Sequence, residues 1–167
     1  MWWRRYRRRS ARVLLVDGAD RLLLLANLDP VQAPDGLVWM TPGGGVERRE
    51  ALNVAAAREL GEEIGLRISP DELGTPVAYT SGYADLGWSR GVFRDDFFFH
   101  RVDGHEVDTS GFTQLELETV VGHRWWTLTD LAAADHDVAY PLGLVDLVGR
   151  LLAGWRPAIP EQLPWHH

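Results

Sequence analysis

Apolar residues along the chain fall into short runs divided by turn residues, and the runs predict the elements. Ala11 to Val16 reads as a buried strand, Asp17-Gly18-Ala19-Asp20 as a hairpin turn, and leucine-dense Arg21 to Leu28 as the partner strand. Asp29 to Gly36, with Pro30 and Pro34, is a loop, and Leu37 to Thr41 is a short strand. Ser69 to Gly74 is a turn, Val77 to Thr80 is extended, and Gly82 to Gly91 is a loop carrying Tyr83, Asp85 and Trp88. The aromatic density of Val92 to Val102 favours a strand that ends at Asp103-Gly104. His123 to Leu128 is another strand, with Trp125 and Trp126 on opposite faces. Thr129 or Asp130 is expected to cap a short helix, and Leu142 to Leu152 to form a packed terminal one. The pattern predicts a mixed α/β domain. It divides the chain into a basic lead-in over 1–10, one domain over 11–156, and an irregular proline-rich tail over 157–167.

Between these runs the period changes. A helix from about 51 to 64 turns about 100° per residue, so Glu59, Glu62 and Glu63 share one arc of roughly 100°. Val54, Ala57, Leu60, Gly61 and Ile64 fall opposite, which predicts an apolar face buried and three carboxylates displayed. Like charges at i and i+4 cost about 0.2–0.5 kcal/mol per pair. A hard divalent cation removes that repulsion, and carboxylate oxygens are the ligands Mg²⁺ prefers, with Mn²⁺ able to take its place. The preceding Gly43-Gly44-Gly45 permits close backbone approach to a ligand beside that face. Glu50, extrapolated along the helix, points about 180° from Glu59. It is therefore expected at the helix N-terminus, where negative charge is favourable.

Composition narrows the chemistry. At 167 residues and 46% apolar content the chain supports one folded core. With no cysteine, a disulfide framework, a thiolate zinc site and a cysteine nucleophile are all excluded, leaving an oxygen-ligated metal as the natural cofactor. The net charge of −7 is uneven: six arginines crowd the first twelve residues, and the remainder stands at −13. An acidic body argues against broad nucleic-acid binding. The arginines read as a solvated lead-in that pairs with this body; the other reading is an arm reaching phosphates or RNA, or a targeting segment. Val13 to Val16 is too short for a signal h-region and no run approaches a membrane span, so a cytoplasmic location is expected.

Gly44, Glu50, Arg58-Glu59-Leu60-x-Glu62-Glu63-x-Gly65-Leu66 fills all nine fixed positions of the Nudix box, and the chain resembles the Nudix (MutT-like) hydrolases. Trp39 and the run Arg124-Trp125-Trp126-x-Leu128-x-Asp130-Leu131 resemble family features outside the box. The resemblance implies an α/β/α sandwich around a mixed sheet. It also implies Mg²⁺-dependent cleavage of a pyrophosphate linkage in a nucleoside triphosphate, dinucleoside polyphosphate or nucleotide conjugate. It makes Glu59, Glu62 and Glu63 metal ligands with one of them a base, Gly44 a carbonyl ligand, and Arg58 the residue that orients the glutamates. Glu50 and Glu116 are secondary candidates, Glu116 preferred over Glu118 by its distance from Arg124-Trp125-Trp126.

Tyr83, seventeen residues past Leu66, matches a tyrosine of members that act on dinucleoside polyphosphates, and with Trp88 is a candidate for stacking a base. Ser81 and Gly82 stand where ADP-ribose-cleaving members carry a proline. A binding or regulatory protein on the same fold is the alternative, although such proteins have eroded boxes. A diphosphate isomerase would need a cysteine. A small nucleotide substrate is the expected partner, with a homodimer left open.

Overall fold

The computed structural model describes residues 6–165. Nine strands form one mixed sheet, in the order β8 (Val138–Tyr140), β3 (Val38–Met40), β2 (Leu22–Asn27), β1 (Arg8–Val16), β6 (Arg90–Arg101), β5 (Ala78–Asp85), β9 (Glu161–Gln162). The other two strands lie off this path: β4 (Gly43–Gly45) pairs with β1, and β7 (Val120–Trp126) with β2. The central pair, β1 with β6, is parallel from Arg8 opposite Phe93 to Val16 opposite Arg101.

Strand alternation sends successive side chains to opposite faces, and both faces are covered. Leu14, Val16, Leu22, Leu24 and Trp126 pack with Leu144, Leu147, Val148 and Leu151 of α4 (Leu144–Leu152) and with Leu131 of α3 (Leu128–Ala132). Val13, Leu15, Leu23, Leu25 and Phe98 pack with Ala55, Ala56, Leu60 and Ile64 of α1 (Leu52–Ile64). Trp125 and Trp126 divide between these two cores, Trp126 meeting Trp39 edge to face at 5.0 Å. The architecture is the expected α/β/α sandwich. Among the described residues no helix is long and apolar enough to cross a membrane.

Several boundaries differ from expectation, each because a non-local partner decides them. β1 begins at Arg8, not Ala11, since β6 supplies partners for the arginine segment; Arg4 and Arg5 lie outside the described residues. Of the arginines expected to pair with the acidic body, Arg9 meets buried Asp96 at 3.0 Å, while Arg7 donates to Ser89. β5 continues to Asp85 against β6, so the loop shrinks to residues 86–89 and Tyr83 lies in a strand. The tail forms β9 on β5 and buries Leu163. Thr127, rather than Thr129 or Asp130, caps α3 by accepting from the Asp130 N–H.

The turn after β1 hangs on Asp17, which is almost fully buried. Its carboxylate accepts from the Ala19 and Arg21 N–H groups and pairs with the Arg21 guanidinium at 2.7 Å. Burial alone would raise this carboxyl; the bonds from Arg21 and Ala19 outweigh it and hold the group below the ordinary 3.8. Its stabilisation is therefore present above the unfolded value and lost as the pH falls through the folded one. Asp17→Ala should cost about 1–3 kcal/mol at neutral pH. In urea titrations the gap from wild type should narrow as the pH is taken below 3.8.

Candidate active site

The site forms where α1 lies against the glycine strand. β4 pairs antiparallel with β1, Gly45 opposite Ser10, Gly44 opposite Ala11 and Gly43 opposite Arg12. A Cβ on Gly44 would stand 2.6 Å from the Glu59 carboxyl carbon, and one on Gly43, at φ +139°, would strike the Ala11 carbonyl and Arg12 Cα. Only backbone without side chains fits between strand and helix here. Gly65 ends α1 in the left-handed region at φ +70°, its N–H bonding to the Gly61 carbonyl while that of Leu66 bonds to Leu60. The Gly65-to-Gly61 bond is that of a left-handed αL stop, which accounts for the glycine at this place in the motif.

α1 therefore sits differently from its wheel. Glu59 and Glu63 are buried together with Ala55, Ala56, Leu60 and Ile64, whereas Val54 is exposed. The acids lie inside the packed arc because the glycine strand leaves space and a donor for them. Gly43 N–H donates to Glu63 Oε2 at 2.6 Å. Burial pushes the Glu63 carboxyl up to about 8 against the Gly43 bond and the charge of Arg12, while Glu59 and Glu116 add to the rise. Burial likewise raises Glu59, with Arg58 opposing and Glu62 and Glu116 assisting.

Arg58 gathers the remaining acids. Its guanidinium donates to Glu59 Oε1 at 2.8 Å, Glu62 Oε2 at 3.2 Å, both oxygens of Glu50 and the Gly45 carbonyl. These bonds hold the Glu50 carboxyl below its ordinary value against the opposing effect of burial. Glu50 precedes the helix, whose N-cap is Ala51, so extrapolation along the wheel does not apply to it; the chain turns it onto Arg58.

The third acid of the cluster arrives from far along the chain. In α2 (Gln114–Thr119), the Glu116 carboxylate accepts from Thr113 N–H at 2.6 Å while Thr113 Oγ1 accepts from Glu116 N–H. This is a reciprocal capping box. It aims Glu116 at the two buried acids of α1, and single oxygens of Glu59, Glu63 and Glu116 lie within 4.8 Å of one another. Glu118 stays outside this cluster and takes a bond from Gln114. Glu62 also stays outside the trio, half exposed on Arg58. The trio and Gly44 line a cavity of about 420 Å³. Tyr83 and Trp88, both largely exposed on the β5–β6 hairpin, do not line it.

Three carboxylates at this spacing, two of them buried and reluctant to ionise alone, form a donor set suited to a hard divalent cation. Two further lining residues, Arg8 and Arg12, belong to the arginine-rich start, for which an arm reaching phosphates is the other reading of the sequence. A signal for them exists: Arg8, Ser10 and Arg12 alternate at the start of a strand pattern. For Glu116 the Thr-x-x-Glu spacing of a capping box is equally visible.

A motif helix carrying buried acids against a glycine strand, inside an α/β/α sandwich, defines a scaffold built around an acidic pocket. The family model of the NUDIX domain matches residues 6–143, and the chain belongs to that family. A stretch of 61 residues, 36% of this chain, is 44% identical to the m7GpppN-mRNA hydrolase NUDT17 of Danio rerio and spans about a fifth (20%) of that relative. Among solved structures, the MutT protein of Methanosarcina mazei Go1 superposes with a TM-score of 0.61 at 20% identity, covering 92% of this chain and 97% of that one. The E. coli dihydroneopterin triphosphate pyrophosphohydrolase reaches 0.61 at 17% identity, over 88% and 96%. A C. elegans Ap4A hydrolase reaches 0.58 at 18%, over 88% and 98%. At these identities the superpositions establish the shared fold.

Two measurements test this geometry. Gly44→Ala should displace the Glu59 carboxylate and weaken Mg²⁺ binding in calorimetry, with little loss of Tm, because the clash is with the end of a flexible side chain. Since Glu63 titrates near 8 when folded, above its ordinary 4.5, its ionisation opposes folding as the pH rises between those values. In EDTA, the Tm of wild type should thus decline from about pH 5 to about pH 8 relative to Glu63→Gln, and Mg²⁺ should remove that decline.

Proposed function

We propose that the protein is a metal-dependent hydrolase that cleaves the pyrophosphate linkage of a nucleoside diphosphate derivative. The observation that carries this reading is the convergence of Glu59, Glu63 and Glu116 within 4.8 Å at the glycine strand, in a cavity open to a small substrate. Membership of the NUDIX family supports it, as does the stretch shared with a relative named as a hydrolase of capped mRNA.

Glu59, Glu63 and Glu116 would hold Mg²⁺ or Mn²⁺, with the Gly44 backbone beside them. Held there, a cation would supply charge neutralisation for the diphosphate and a more acidic water. Arg58 keeps Glu59 oriented while drawing Glu50 and Glu62 into one network. A carboxylate within hydrogen-bond reach of the attacking water accepts its proton. The close glycine backbone and the buried α1 face exclude bulk water from Glu63, which would strengthen the attraction of its ionised carboxylate to a bound cation.

With Mg²⁺, release of phosphate or nucleotide should be detected in a panel of nucleoside triphosphates, dinucleoside polyphosphates, capped dinucleotides, nucleotide sugars and ADP-ribose. EDTA should abolish it. Glu59→Gln, Glu63→Gln and Glu116→Gln should each lower kcat by about a hundredfold or more, and Glu62→Gln by less, while all four keep a wild-type circular dichroism spectrum. Undiminished turnover in EDTA, or in both Glu59→Gln and Glu63→Gln, would refute the reading.

A further inference from the structure

Most arginines near the sheet have a visible structural role, since Arg9 and Arg94 bond to Asp96, Arg7 to Ser89, and Arg58 to its glutamates. Arg8 and Arg12 are exceptions. Both line the cavity of the carboxylate trio. Arg12 is largely buried; its Nη1 donates to the Thr41 carbonyl, its Nε is buried without a hydrogen-bond partner, and Asp95 stands off at 3.6 Å. Arg8 is exposed and has no acidic partner among the described residues; its guanidinium stands near Gly45, 3.8 Å from where a Cβ would be.

The two arginines are spaced i and i+4 on one strand, so their Cα atoms stand about 13 Å apart along the same face. β4 lies beside them in antiparallel register, with Gly43 opposite Arg12, and side chains are absent along that border. Beyond Arg8 a second open depression of about 790 Å³ continues past Gly45 to Arg48. Arginine suits such a row because its planar fork grips phosphate oxygens and its charge persists at all working pH.

We propose that Arg12 and Arg8 form a cationic track leading away from the carboxylate pocket, which holds phosphates beyond those of a diphosphate seated at the carboxylates. The protein then selects substrates with three or more consecutive phosphates, nucleoside triphosphates or dinucleoside polyphosphates, over diphosphate-linked conjugates such as nucleotide sugars. This selection rests on the hydrolase reading for its catalytic consequence. It does not rest on that reading for binding. A diphosphate conjugate would leave Arg8 unpaired and Arg12 with only the Thr41 carbonyl and a long contact to Asp95, whereas a third phosphate gives both guanidinium groups an anion to bind.

The test is equilibrium binding of methylene-bridged, hydrolysis-resistant nucleoside triphosphate and diphosphate analogues with Mg²⁺, alongside kcat/KM for a triphosphate and a nucleotide sugar. Wild type should bind the triphosphate analogue at least tenfold more tightly than the diphosphate. In Arg8→Gln, which breaks no ion pair within the protein, that ratio should fall at least threefold, and in Arg12→Lys, which keeps charge but loses the fork, it should also fall. The kcat/KM preference should shrink in parallel, mainly through KM. A wild-type ratio near one, or a ratio unchanged in Arg8→Gln, overturns the track. A ratio that behaves as expected without any turnover upholds it and counts against the hydrolase reading instead.

Discussion

Everything at the candidate site depends on how closely α1 and β4 approach. Two carboxylates are held in a packed interface that ordinary side chains would fill; Gly44 leaves the space that the Glu59 carboxylate occupies, and Gly43 lets β4 lie close against β1. The same backbone gives an N–H to Glu63, so the strand that makes room for the acid also compensates part of its desolvation. What remains uncompensated appears as the elevated Glu63 and Glu59 carboxyls. The fold thereby holds an electrostatic strain that a cation would relieve.

β1 is the join between scaffold and chemistry. Its later half, Val13 to Val16, is entirely buried and feeds both cores of the sandwich. Its earlier half pairs on one side with β4 and on the other with β6, bringing basic side chains to the acids of α1. Arg58 complements it on the outer side of the acids, where one guanidinium spans residues 45, 50, 59 and 62. Positive charge therefore flanks the carboxylates from both directions, and the cavity between is shaped more by charge than by apolar walls.

How much of this is legible in the chain varies with the range of the interaction. The helix, its end at Gly65 and the acids themselves follow from local spacing, and so do both sandwich cores, whose central strands are unbroken apolar runs covered on both faces. The facing of α1 does not follow, because a helical wheel assigns acids to water and has no knowledge of a glycine strand above them. The reach of β5 to Asp85 is hidden by its glycine and polar residues, and β9 by its being two polar residues paired to a strand some eighty positions earlier. The place of Arg12 is hidden in the same way, since only the register with Gly43 shows where its side chain must go.

The trio has one more property, visible in its hydrogen bonds. Glu59 gives Oε1 to Arg58, Glu63 gives Oε2 to Gly43, and Glu116 gives Oε2 to Thr113. Each carboxylate thus has one oxygen engaged by these bonds and one left over, so the second oxygen is the one more open to an ion. An ion entering among them would meet three single-oxygen ligands and would have to complete its shell with water or phosphate. Magnesium, small and octahedral, tolerates such an arrangement, whereas calcium favours about six to eight oxygens and often takes carboxylates two at a time. Discrimination between the two ions would thus draw on the protein's own hydrogen bonds, which favour one point of attachment for each acid.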